Sequence, residues 1–390
     1  MDVLHKKSEA DDGSDIAAYF AITSTVSVGC APSMANVFAL GGWAMCGVVG
    51  LFGVVTWYTG VLLLECIYAV PGKRLNSYAA AGEAAFGVSG RVVVQGFSNF
   101  SLLSFAALFI KFSAINFTQV SVWLGVDMTE TAWAWISGGV VLVPYVAFRE
   151  LKEVGIFSVL GLLTVLVTVI MGICLSLLSP ITKQLHRPLN WEGFPAALGT
   201  LCFMFGGNVI FTHVEAGMKN PRRWSLVLGL AMATVVVLYL LLGLVGYWVY
   251  GEEAINPVTQ NFQQGYATSI LVVVVSLHLL VDTVFQLISF SAELEAQVCL
   301  PPHWRRASRC LILVLTTSAA VFIPHFGAFM AFAGALGSPV MIFIAPVLLH
   351  TKLLGWRKRH PLSHILSIAC ILLGTVGCIL GLKGAIQEML

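Results

Sequence analysis

Apolar residues fill this chain in runs of about twenty, the length a helix needs to cross the hydrocarbon of a bilayer. Eleven runs occupy approximately 16–39, 43–68, 92–119, 131–148, 154–178, 195–217, 225–250, 267–292, 308–324, 327–350 and 363–383. The pattern predicts an all-α integral membrane protein of about 11 transmembrane helices, here called spans one to eleven. Residues 1–14 read as a short polar cytoplasmic tail, and 15–390 as a single transmembrane domain with no inserted soluble module. The stretch 70–91, VPGKRLNSYAAAGEAAFGVSGR, is too polar to span and reads as a short cytoplasmic amphipathic segment.

Two runs are interrupted. Span one contains SVGCAPS at 27–33, and span six contains Gly206-Gly207-Asn208. Glycine costs a helix about 1 kcal/mol relative to alanine, and asparagine adds a polar side chain at membrane depth. Lipid tolerates a broken backbone only where it is buried in protein or lines a watery cavity. A single break reads as a packing kink. A pair of interrupted helices in corresponding halves of a chain is the sequence mark of a transporter's substrate site.

Composition excludes an ordinary soluble domain: 58% of residues are hydrophobic, 10% are charged, and the mean hydropathy is +0.89. The first fifteen residues carry no apolar stretch that would read as a signal peptide. Of the 21 lysines and arginines, an inside N-terminus places seventeen on inside segments, three (Lys183, Arg187 and Lys383) outside, and Lys111 within a span. That asymmetry predicts a cytoplasmic N-terminus and a C-terminus facing the exterior or a lumen. The nine cysteines show no metal-ligand spacing and read as small buried hydrophobes. The sequons at Asn99 and Asn116 fall inside an apolar run, where glycosylation is not expected.

The segment MKNPRRW at 218–224, preceded by a broken apolar helix and VEA, resembles a signature of the amino acid/auxin permease family. Blocks that agree in order are Gly42-Trp43, YTGVLLLEC at 58–66, GEAAFG at 82–87, GYWVYGEEAINP at 246–257 and IPHFGAFMAFAGALGSPVMIFIAP at 323–346. The resemblance covers nearly the whole chain. It implies a LeuT-like five-plus-five inverted repeat with broken helices 1 and 6, plus one extra helix. It also implies secondary transport of amino acids, mostly driven by protons and sometimes by sodium. One departure stands out in span one. Many members have a GAG-type break followed by leucine-proline, whereas this chain has Val28-Gly29-Cys30, with Ala35 at the proline position and Pro32 earlier.

At each break one half-helix presents free N–H groups, which suit a carboxylate, and the other presents free carbonyls, which suit an ammonium or a cation. Val28, Gly29 and Cys30 are the candidates for the carboxylate side; Phe205, Gly206, Gly207 and Asn208 are the candidates for the opposite wall. Neither break carries a charged side chain, which favours a zwitterion with a neutral side chain. In span eight, His278, Asp282 and Gln286 recur every four residues on one helix face, and Ser289 continues the stripe. An aspartate at membrane depth costs about 2.5–3.5 kcal/mol to insert and marks a proton or ion path, the alternative being a structural His–Asp pair. Lys111 either snorkels to the interface or forms a charge pair. Gln95 and Asn99 lie four apart, facing the pocket or bonding another helix. His213 and Glu215 suggest a gate contact, and Glu65 an ion pair with the nearby Lys73 and Arg74.

The sequence therefore predicts a proton-coupled transporter of small neutral amino acids, working by alternating access. A sodium-coupled or exchange-type carrier and a nutrient-sensing receptor are the alternatives. No HExxH, nucleophile–base pair or metal cluster points to an enzyme. The expected partners are an amino acid and the lipid bilayer, without nucleic acid, metal or cofactor beyond the coupling ion; the expected state is a monomer. The plasma membrane and a vacuolar or lysosomal membrane fit equally.

Overall fold

The computed structural model describes residues 15–27, 30–148, 157–179, 184–298, 301–355 and 361–389, and these are helical almost throughout. They form eleven rods that match the eleven apolar runs. Nine are long and apolar enough to cross a membrane. The other two are span four (Glu130–Ala147) and span nine (Pro302–Phe322), whose first turns carry Arg305 and Arg306. Lipid-directed faces are aliphatic: Val143 is 71% exposed and Leu372 60%, as expected where hydrocarbon replaces water.

Helix ends follow local chemistry. Span three is entered at Ser77, whose hydroxyl accepts a hydrogen bond from the Ala80 amide at 3.1 Å, and Thr129 caps span four in the same way. The polar stretch 70–91 is part loop and part helix. From Tyr78 the chain is helical and bends at Gly87, where φ is +67°, before continuing to Trp123. Only glycine takes that φ without strain, so the bend sits there and span three starts at about this point. Span nine likewise begins at Pro302, six residues before the apolar run at 308.

Spans one, two, six and seven pack together as one group, and spans three, four, eight and nine as another. Span five (Phe157–Leu178) touches both, packing on spans one, seven and eight. Span ten consists of Phe326–Leu336 and Ala345–Leu354 with a π-helical turn between them, and its two halves pack on spans six and two respectively. Span eleven (Pro361–Met389) lies against the first halves of spans six and ten. Backbones meet closely at that three-helix contact: a Cβ on Gly334 would sit 2.0 Å from the Gly199 carbonyl oxygen, and one on Gly384 2.5 Å from the Ala196 nitrogen. Small residues permit such approach inside membranes, where packing is the main attraction between helices. Gly334→Ala must push spans six and ten apart. The expected result is about 1–3 kcal/mol of lost stability, read as a lower thermal unfolding midpoint in detergent.

Candidate functional site

Both sequence breaks are breaks in the backbone. Span one is helical over Asp15–Ser27; after Cys30 a short 3-10 turn, Ala31–Ser33, carries the chain into a second half, Met34–Gly41. Val28 and Gly29 lie outside the described residues. Span six is helical over Phe194–Met204, tightens so that the Gly206 amide bonds Phe203 O at 2.9 Å, and resumes as Asn208–Ala216. Gly206 and Gly207 are required by crowding. A Cβ on Gly206 would lie 2.8 Å from the Phe105 ring, and one on Gly207 2.8 Å from Val26.

The two breaks face one another across a crevice. Span one contributes Thr25, Val26 and Cys30; span six contributes Met204, Gly206, Gly207, Val209 and Ile210. Leu102 and Phe105 of span three and Gln286 of span eight close it. The free space is about 10 Å³, room for about one water, so this is a closed arrangement that must widen around any solute. Every lining side chain is uncharged.

Four of the candidate residues therefore meet at the crevice: Cys30, Gly206, Gly207 and Gln286. Phe205 is turned away, its ring packed on Phe52 and Tyr239 at centroid distances of 5.8 and 5.5 Å. Asn208 is fully buried behind the lining, and neither atom of its amide has a partner among the described residues. Asp282 and His278 lie one and two helix turns from Gln286, 3.4 Å apart and both largely buried. The His278 ring fits against Gly161 of span five, and a Cβ there would come within 2.7 Å of it. Asp282 is near enough to Cys30 for its charge to act there. The Asp282 Oδ2 and the Gln286 Oε1 have no hydrogen-bond donor among the described residues. Ser289 donates to Phe285 O of its own helix at 2.9 Å, so its hydroxyl is committed away from the stripe.

The remaining charged candidates form contacts between spans. Lys111 is buried and pairs with Glu130 at the start of span four. Gln95 bridges Asn99, at 2.9 Å, and Glu293 of span eight. Glu215 is 1% exposed; Tyr68 donates to it at 2.5 Å, and Arg74 grips it through Nη2 at 2.5 Å and Nε at 3.2 Å. Arg74 also donates to Thr212 O at 2.9 Å, and His213 lies close to its guanidinium. The phenol of Tyr68 has one proton to donate, and it is spent on Glu215. Glu65 corrects the expectation from sequence: its partner is His350 of span ten, at 2.5 Å, not Lys73 or Arg74.

Sequence reasoning passed over Tyr239. It sits mid-way along span seven (Trp224–Tyr250), fully buried, with its hydroxyl 2.5 Å from Val26 O and 3.2 Å from Met204 O. A tyrosine hydroxyl buried in hydrocarbon needs a partner, and within the aliphatic run VVVLYLLL that need was the available signal.

Eleven helices, two of them broken at facing positions, define a LeuT-fold membrane protein. Two solved structures share this fold. Mhp1, a nucleobase-cation-symport-1 family transporter in a closed conformation with bromovinylhydantoin bound, superposes with a TM-score of 0.59 at 14% identity, covering 97% of this chain and 93% of its own. A manganese transporter from Eremococcus coleocola superposes with a TM-score of 0.54 at 12% identity, covering 95% of each chain. The family described as transmembrane amino acid transporter protein matches residues 15–387, and the chain belongs to that family. Among its relatives, amino acid transporter AVT1D of Arabidopsis thaliana is 24% identical over 359 residues. That match takes in 88% of this chain and 64% of the relative, so the chain spans less than two thirds of that protein's length. The human vesicular inhibitory amino acid transporter is 24% identical over 376 residues, 88% of this chain and 71% of that one.

Proposed function

We propose that this protein is a proton-coupled secondary transporter of small neutral amino acids. The observation that carries the reading is the crevice between the two breaks: small, lined only by uncharged side chains, and bordered by the carbonyl ends of two half-helices. Such carbonyls attract an ammonium, and the half-helix starts on the other side of the breaks attract a carboxylate. The amino acid is the solute class with both groups. Its side chain must be small and neutral, because Leu102, Phe105 and Ile210 offer no charge to complement one. Asp282 is the group assigned to the coupling proton, with His278 as its neighbour. The names of the relatives, amino acid transporters including a vesicular one, agree with this substrate class and with an organelle membrane. The Arg74–Glu215–Tyr68 cluster closes the end of span six on the side that bears the basic connections, which is the cytoplasmic side in this reading.

Purified protein in liposomes tests the proposal. Radiolabelled neutral amino acids are expected to accumulate when a pH gradient is imposed, and a sodium gradient alone is expected to do nothing. Accumulation driven by sodium alone would replace the proton, and no uptake of any neutral amino acid would reject the substrate class. Gly207→Leu is expected to insert normally and to lose at least nine-tenths of uptake. Its side chain would occupy the space between Val26 and Phe211, and leucine favours continuous helix by nearly 1 kcal/mol.

A further inference from the structure

Two backbone carbonyls converge on one phenol. Val26 is the last residue but one of the first half of span one, and Met204 is the last residue of the first half of span six. Both carbonyls belong to the final turn of a helix, where no N–H of the same helix follows to satisfy them, and both carry the negative end of a helix dipole. The Tyr239 hydroxyl lies 2.5 Å from the first and 3.2 Å from the second. A phenol has a single proton to donate. It serves Val26 at the shorter distance, and Met204 receives at most a share. Cys30, which lines the crevice, lies beside the same hydroxyl.

We infer that Tyr239 is a positioning residue that ties the two broken spans together when the site is empty, its hydroxyl occupying the carbonyls that the substrate's ammonium takes over on binding. This rests on the amino acid reading above. The phenol and the ammonium compete for Val26 O and Met204 O. Binding therefore requires the hydroxyl to release at least one of them, and the empty carrier can close only because the hydroxyl returns. The ring has a separate duty, packing edge-on against Phe205 at an interplanar angle of 88°. Tyr239→Phe keeps that packing and removes only the donor.

The test uses the full chain in liposomes, with alanine as probe and propionate, its analogue without the ammonium, as control. In Tyr239→Phe, alanine is expected to bind about tenfold more tightly, because the empty site has lost the donor that held its carbonyls. Propionate binding should not change. Alanine-for-alanine exchange should persist, while net uptake, which needs the empty carrier to return, should fall about tenfold. Placing 3-fluorotyrosine at 239 gives a stronger donor of nearly the same shape and is expected to weaken alanine binding. Unchanged or weaker alanine binding in the Phe variant overturns the inference, as does equal loss of exchange and net uptake in a protein with an unaltered unfolding midpoint. If the Phe variant fails to fold, the fluorotyrosine protein decides: weaker binding supports the inference, and unchanged or tighter binding overturns it. Failure of the parent protein to bind any neutral amino acid would instead reject the substrate reading before any variant is compared.

Discussion

Arg74→Met is expected to cost about 3–5 kcal/mol, the largest stability loss of any single charged-to-neutral change proposed here. Glu215 is buried, and Arg74 supplies two of the three side-chain hydrogen bonds it accepts, Tyr68 the third. Without the guanidinium the carboxylate keeps one phenol donor and no compensating charge. Tyr68 cannot make up the difference, since its proton is already committed at 2.5 Å. The same side chain also ties the Thr212 carbonyl to the loop after span two, so its loss frees the last turn of span six. The measurement is the thermal unfolding midpoint in detergent, with Arg74→Met/Glu215→Leu as companion. Removing both partners eliminates the uncompensated charge, so the double variant should recover part of the loss. An unaltered midpoint in Arg74→Met would show that the pair is screened by solvent and holds nothing shut.

Asp282→Asn is expected to abolish acid-driven accumulation while leaving exchange of substrate intact. One proton crossing with a 100 mV potential and a one-unit pH difference supplies about 2.3 plus 1.4 kcal/mol. That sum can concentrate a neutral solute several-hundredfold, by the equivalence of about 1.4 kcal/mol to a factor of ten. Asparagine keeps the shape of the side chain and removes its titration. Asp282 is buried, 3.4 Å from His278 and one turn from Gln286 at the crevice, and its Oδ2 has no donor among the described residues. In the proposed mechanism this is the side chain that carries the coupled proton. Accumulation that survives the substitution would leave the His–Asp pair a structural contact and return the coupling site to the search.

Much of this architecture is legible in the sequence because the bilayer simplifies the problem. A span must be about twenty residues of apolar side chains, so the eleven runs mark the eleven rods even where their ends shift at Gly87 and Pro302. The breaks are legible for the same reason: Gly206-Gly207 and the Gly29–Pro32 stretch are conspicuous inside hydrocarbon-length runs. Partners across space are another matter. Glu65 has Lys73 and Arg74 close by in the chain, yet the turn after span two carries Arg74 to Glu215 and leaves Glu65 with His350, 285 residues away. Periodicity placed His278, Asp282 and Gln286 on one face, but only packing shows that Gln286 reaches the crevice while Ser289 bonds its own helix. Tyr239 was hidden by its neighbours, since an aromatic among valines and leucines reads as core until two carbonyls are found at its hydroxyl.

The central claim, that a neutral amino acid is held between the two breaks, is tested most directly at Cys30. A protein in which the other eight of the nine cysteines are replaced keeps one thiol, buried in the closed site and lining the crevice. A small thiol reagent should label it slowly, as the site opens, and a saturating neutral amino acid should slow that labelling several-fold while the corresponding deaminated acid does not. Labelling at the same rate with and without every neutral amino acid, in a preparation that catalyses their uptake, would place the substrate elsewhere and contradict the account.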